Sequence, residues 1–290
     1  MHVVPGILAR HDPARGVDPV PVVFDSPHSG RLYPEDFGAA VPVSALRGAE
    51  DAFVDELFAA APEHGAVLLA ALFPRSYIDV NRAPDDIDPR LIEGDWPAPL
   101  KPGPKSELGI GLIRRAIVPG LFIYDRRLPV AEVERRIARY WRRYHAALKG
   151  ALDRAHRAHG AVWHVDCHSM KSFANGMTPD APGTRRPDIV LGDRDGTSCE
   201  PAFTRLVMET LARFGFEVSV NDPYKGAEIV RRYGAPGQGR HSLQIEIRRD
   251  LFMNESVHVR NEGFARVQAA MADLAAAVCD YARTRSKALG

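Results

Sequence analysis

The sequence predicts an α/β fold: a mainly parallel, mixed sheet flanked by helices. Apolar β-type runs alternate with stretches of helical periodicity, the pattern of parallel strands joined by crossover helices. The chain has 290 residues, 45% of them apolar, enough for a sizeable buried core. Two histidines, His28 and His168, sit in like settings, each past an apolar run and each followed by Ser. Open α/β sheets gather their ligand chemistry at the carboxyl ends of strands, and both histidines fall where such ends are expected.

Taken in order, the predicted strands are residues 20–24, 66–70, 161–165, 189–192, 217–220 and 242–247. A long helix is predicted over 129–159, because Val130, Val133, Ile137, Tyr140, Trp141, Tyr144, Leu148 and Leu152 fall on one stripe. Pro129 opens it and Gly160 closes it. Its arginines lie mostly off the stripe and read as a solvated face. A last helix over 262–283 is expected to pack across the sheet. Residues 83–104 and 172–187 carry the Pro, Asp and Gly turn signals of long loops. No repeat, low-complexity tract or linker divides the chain, so one domain over 1–290 is expected.

Composition removes several classes of function. A net charge of +1 argues against a general nucleic-acid binder. No apolar run reaches the length of a membrane span. The first residues lack the charged and apolar regions of an export signal. Three scattered cysteines, Cys167, Cys199 and Cys279, read as reduced thiols, so a cytoplasmic home is expected.

Two imidazoles with a nearby acid are raw material for a zinc site that leaves one position open. The stretch from Glu50 to Phe58 reads as a helix, and its 100° steps place Glu50 among Phe53, Val54, Leu57 and Ala61 on the buried stripe. A carboxylate aimed inward must be paired or bound to metal. Glu50 is therefore the preferred third ligand and Asp51 the alternative. Plainer readings stand beside these: a structural histidine, or an acid answering a helix dipole. Asp25 and Asp166 are placed to hold the second nitrogen of each imidazole. His164 lies a step deeper and reads as structural. The 242–247 strand alternates, with Leu243, Ile245 and Ile247 on one face and Gln244, Glu246 and Arg248 on the other. An acid there either pairs with Arg248 or faces the crevice as general base. Cys167 is turned by the same alternation to the face opposite His168.

These blocks together resemble the N-formylglutamate amidohydrolase (N-formylglutamate deformylase) family. They are Ser26-Pro-His-Ser-Gly30, Glu50-Asp-Ala-Phe-Val-Asp55, Arg75-Ser-Tyr-Ile-Asp-Val-Asn-Arg82, Val165-Asp-Cys-His-Ser-Met170, Asp188-Ile-Val-Leu-Gly-Asp-Arg-Asp-Gly196, Asn221-Asp-Pro-Tyr-Lys-Gly226 and Gln244-Ile-Glu-Ile-Arg-Arg-Asp-Leu-Phe252. The resemblance implies a zinc-carboxypeptidase-like (phosphorylase/hydrolase-like) three-layer fold. It also implies hydrolysis of N-formyl-L-glutamate to formate and L-glutamate, late in histidine degradation. The chain is similar, too, to zinc amidases whose ligands run His, Glu, His before a late catalytic Glu. That order maps onto His28, Glu50, His168 and Glu246, with Asp51 still open.

A substrate with two carboxylates calls for at least two cations. Arg82 (after Asn81), Arg194 and Lys225 are the leading candidates, and Arg75 and Arg231 follow. Each could equally be surface charge. Another zinc-dependent N-acyl-amino-acid or peptide amidohydrolase is the nearest alternative, and a non-catalytic carboxylate- or metal-binding protein a more distant one. Iron, manganese or cobalt would suit the same ligands.

Overall fold

The structure, a computed structural model, describes residues 1–287. Eight strands form its central sheet: β1 (His2–Val4), β2 (Leu8–His11), β3 (Val22–Ser26), β4 (Val67–Ala71), β5 (Val162–Met170), β6 (Ile189–Gly192), β7 (Val218–Val220) and β8 (Arg240–Arg248). Their spatial order is β1-β2-β4-β3-β5-β8-β6-β7. The middle of the sheet, from β4 through β3 and β5 to β8, is parallel; β2 and β6 join it antiparallel, and β1 pairs antiparallel with β2. The predicted mixed, mainly parallel sheet is thus observed. The hairpin β1–β2 was not anticipated, being too short to show alternation. β5 and β8 run on beyond the expected ends, so His168 lies inside a strand rather than past it.

Helices cover both faces. One is a single turn, α1 (Val54–Leu57). The long predicted helix comprises α2 (Val130–Arg136), a π-turn (Ile137–Trp141) and α3 (Arg142–His159), closed by Gly160 in the left-handed region. Further on come α4 (Pro201–Ala212), α5 (Glu228–Tyr233) and α6 (Phe264–Lys287). Strand alternation divides the core in two. Phe24, Val165, Cys167, Leu243, Ile245 and Ile247 pack under α1, α4 and α6. Val23, Leu69 and Val162 pack under α2 and α3 through Val133, Tyr140, Tyr144 and Leu148. On that second face β3, β5 and β8 also carry Asp25, His164, Asp166, His168, Gln244 and Glu246. A polar patch is therefore embedded where an apolar one would be the default.

Part of that patch is structural, as expected for His164. Its Nε2 donates to Asp25 Oδ1 at 2.9 Å, and Ser242 Oγ lies 2.8 Å from its Nδ1. Tyr144 Oη donates to the other Asp25 oxygen at 2.7 Å. Asp25 is thereby occupied and does not reach His28. Among the described residues, no helix is long and apolar enough to cross a membrane.

Candidate metal centre and its cationic pocket

Just beyond β3 the chain turns through Pro27 and His28 against the exit of β4. Gly30 is required there, since a Cβ would lie 2.2 Å from the Phe73 carbonyl oxygen. Asp51 follows a short turn (Arg47–Ala49) and is tied to this loop by its N–H, which donates to the His28 carbonyl at 3.0 Å. His168 comes from β5. The two imidazole centroids lie 4.7 Å apart. Their Nδ1 atoms are 3.0 Å from each other, and Asp51 Oδ2 is 3.3 Å from His28 Nδ1 and 3.0 Å from His168 Nδ1. All three residues are buried.

The outer nitrogens fix the tautomers. His28 Nε2 donates to Asp79 Oδ1 at 2.7 Å, and His168 Nε2 lies 2.7 Å from Asp166 Oδ1. Carboxylates only accept, so His28 Nε2 carries the proton and its Nδ1 presents a lone pair; His168 Nε2, which also lies 3.0 Å from Asn81 Nδ2, takes the same form when it donates to Asp166. Three acceptors then meet at one buried point, which is repulsive unless a proton or cation sits among them. Donors about 2.0–2.1 Å from a tetrahedral ion lie about 3.3–3.4 Å apart, close to the observed spacings. These residues fit a metal. The surrounding charge favours a cation as well. Burial opposes charging of His168, yet Asp166, Asp51 and Glu246 hold its pKa well above the ordinary value. Burial opposes ionisation of Asp51, but Arg75 and the two imidazoles keep its carboxyl well below the usual range.

Glu50, the preferred third ligand from the sequence, is directed elsewhere. Its carboxylate accepts from Tyr33 Oη at 2.5 Å and from Arg47 Nε at 3.4 Å. The helical geometry behind that expectation is absent: α1 begins only at Val54, and Glu50 has extended angles, φ −68° and ψ 145°. Asp51, the next residue, is the one that faces the imidazoles. Asp79, not Asp25, braces His28.

Glu246 stands opposite His168 in the β5–β8 pairing and on the same face. Gln244 Nε2 donates to its Oε1 at 2.9 Å. Arg248 is instead paired with Asp188 and Asp250. Burial raises the Glu246 pKa, with His168 opposing and Asp51 adding to the rise. The carboxylate opens onto cavities also lined by Arg75, Arg82 and Tyr224. Arg75 is committed to Asp79 at 2.8 Å, and Arg82 donates to the carbonyls of Ile110 and Asn81. Asn81 donates to Asp166 at 3.2 Å and accepts from the Ile229 N–H. Lys225 borders a cavity, but its ammonium pairs with Asp195 at 2.9 Å near the surface. Arg194 is turned to the Gly226 carbonyl and Arg231 to Glu228; neither joins the cluster around Glu246.

Lys105, Arg114 and Arg249 also line the cavity and were missed. Only Arg249 lay in a noted block. Lys105 and Arg114 lie between recognisable elements, where no periodicity marks an inward side chain. Asp79 left a faint signal, since Asp79 and Asn81 are polar residues two apart in an otherwise apolar stretch.

Residues 20–253 match the sequence profile of a family described as N-formylglutamate amidohydrolase. The chain belongs to that family. The N-formylglutamate deformylase of Pseudomonas aeruginosa is 32% identical over 241 residues, covering 81% of this chain and 83% of that protein. Its counterpart in Pseudomonas putida is 28% identical over 242 residues, with coverages of 82% and 83%. A crystal structure of N-formylglutamate amidohydrolase from Ralstonia eutropha JMP134 superposes with a TM-score of 0.92 at 49% identity, covering 96% of this chain and 99% of that one. A gene product of Agrobacterium tumefaciens, at 20% identity and a TM-score of 0.66 with coverages of 96% and 95%, shares the fold alone. The stretch matched to the N-formylglutamate amidohydrolase family contains His28, Asp51, Asp79, His168 and Glu246, whereas β1, β2 and α6 lie outside it.

Proposed function

We propose that the chain is a zinc-dependent amidohydrolase that cleaves N-formyl-L-glutamate to formate and L-glutamate in histidine degradation. The observation that carries this reading is the meeting of His28 Nδ1, His168 Nδ1 and Asp51 Oδ2 beside Glu246. Family membership and relatives named for that reaction support it. The ligands are His28, His168 and Asp51, a donor set that suits zinc and also iron, manganese or cobalt. When bound, the ion polarises the formyl carbonyl and makes the attacking water more acidic.

Glu246 accepts a proton from that water as its oxygen bonds to the formyl carbon. The C–N bond then breaks, and the same carboxyl returns the proton to the departing amine. Water is consumed, and formate and a free amino group leave. The raised pKa of Glu246 eases the second transfer. Asp79 and Asp166 keep both imidazoles in the ligating tautomer, and Arg75 and Asn81 hold those two acids in turn. Arg82 contributes positive charge toward an anionic substrate.

Formate release from N-formyl, N-acetyl and N-succinyl amino acids, with and without chelator, tests the reading. Release is expected from N-formylglutamate and is expected to stop on chelation. Glu246→Ala should lower kcat by roughly 10²–10⁴-fold with metal content unchanged. Turnover that survives both chelation and the substitution would overturn the proposal.

A further inference from the structure

We propose that Arg114 and Lys105 are the receptors for the substrate's two carboxylates and set a preference for N-formyl diacids. This rests on the reaction proposed above and adds which residues read the acid groups. The starting point is a difference among the cations of the cavity. Arg75, Arg186 and Arg249 are each held by a carboxylate of the chain: Asp79 at 2.8 Å, Asp180 at 2.9 Å and Asp51 at 2.9 Å. They are part of the wall. Arg114 is not held in this way. It is only 8% exposed, its side chain makes no hydrogen bond among the described residues, and its Nε is buried without a partner. Its nearest carboxylate oxygen, Asp79 Oδ2, lies 3.7 Å away and already accepts twice from Arg75.

A buried guanidinium left in this state calls for an anion. Burial, reinforced by neighbouring Arg75, brings the Arg114 pKa down to about 9. Lys105 is a second cation of this kind, though less deeply placed. Its ammonium has no ion pair among the described residues and lies 5.5 Å from the centre of the Tyr224 ring. Burial, with Arg82 adding to it, lowers its pKa to about 7. An arriving carboxylate would offset the burial of both.

The two cations ride on one segment. Lys105 lies on a single helical turn (Pro104–Glu107), and Arg114 pairs with Ile110 in a bridge a few residues on. That segment is pinned by Leu112, whose N–H donates to the Asp86 carbonyl and whose carbonyl accepts from the Asp79 N–H. Lys105 shares with Glu246 the cavity that holds His168 and Gln244, whereas Arg114 borders only the one beside Ser169 and Arg249. All three line one cavity, and the two positive charges take different positions in the lining around Glu246. That arrangement suits a short diacid better than a monoacid.

The test measures kcat/KM on N-formylglutamate and on its two mono-amides, one lacking the α-carboxylate and the other the γ-carboxylate. Arg114→Met and Lys105→Met should each lower kcat/KM on the diacid by roughly 100-fold, mainly through KM. Each should be nearly silent on one mono-amide, and on a different one. Equal losses on all three substrates, or none, would overturn the assignment. Lys105 is partly exposed, so its variant tests the idea even if Arg114→Met does not fold; Arg114→Lys should recover part of the loss. Calorimetric binding of glutarate against butyrate separates this proposal from the reaction itself. The parent protein should prefer glutarate, and each variant should lose that preference. Formate release without any glutarate preference would sink the receptors and spare the reaction. Glutarate preference without formate release would do the reverse.

Discussion

Glu50 and Asp51 are adjacent acids with different surroundings. Asp51 is gripped by Arg249 at 2.9 Å while its other oxygen meets both imidazoles; Glu50 bonds Tyr33 and Arg47. Asp51→Ala should therefore yield protein with little bound metal, whereas Glu50→Gln should keep the parent's stoichiometry, as read by elemental analysis. The reverse result would restore Glu50 as ligand. Glu246 allows a second test at this scale. Its raised pKa means that the basic form is lost, as pH falls, at a higher pH than for an ordinary glutamate near 4.3. The acidic limb of kcat/KM should lie above that value and vanish in Glu246→Gln. His28, His168 and Glu246 could be picked out because each follows or belongs to an alternating apolar run. Choosing between the two acids required knowing that α1 starts at Val54 and that Phe53, at φ 67°, breaks any helix before it. A pattern of apolar spacing holds no trace of that.

Alternation is the strongest signal at the level of elements, and its consequences are concrete. Ile245 and Glu246 are neighbours on opposite faces of β8, one in the apolar core under α4 and α6, the other beside His168. Ile245→Ala should cost about 2–5 kcal/mol of stability in denaturant titration. Its kcat should stay close to the parent's, because the space left by Ile245 opens on the far side of the strand from Glu246. A loss of kcat without a loss of stability would mean that the two faces are not independent. The strand identities and most of the long helix were legible, but the sheet order was not. Nothing in the sequence of β5 states that β3 and β8 flank it. Yet that adjacency brings Asp166, His168, Gln244 and Glu246 together, and a shift of one residue would turn Glu246 into the core. Asp79 was hidden for a related reason: it lies on a connection after β4, where position depends on tertiary contacts such as its N–H bond to Leu112.

For the whole molecule, a net charge of +1 conceals a buried concentration of both acids and cations. Acids gather around the imidazoles, and cations, several of them held by carboxylates of the chain, line the cavity. Composition reports only their sum, so neither could be read from it. The cluster at the imidazoles has a consequence for stability. Without an ion, a proton on His168, whose pKa stands well above the ordinary value, has to hold the three buried donors together. An ion bound only by the folded protein stabilises it by RT ln(1 + [L]/Kd), about 4 kcal/mol when free metal is a thousandfold above Kd. At this chain length each kcal/mol is worth roughly 2 °C or more in melting temperature. Adding zinc to chelated protein should therefore raise Tm by several degrees, in proportion to the logarithm of metal concentration once Kd is exceeded. The rise should be absent in Asp51→Ala, which lacks a ligand, and intact in Ile245→Ala, whose lower Tm has a different cause. A parent Tm indifferent to chelator, in protein shown to contain metal beforehand, would mean that the three donors do not share an ion.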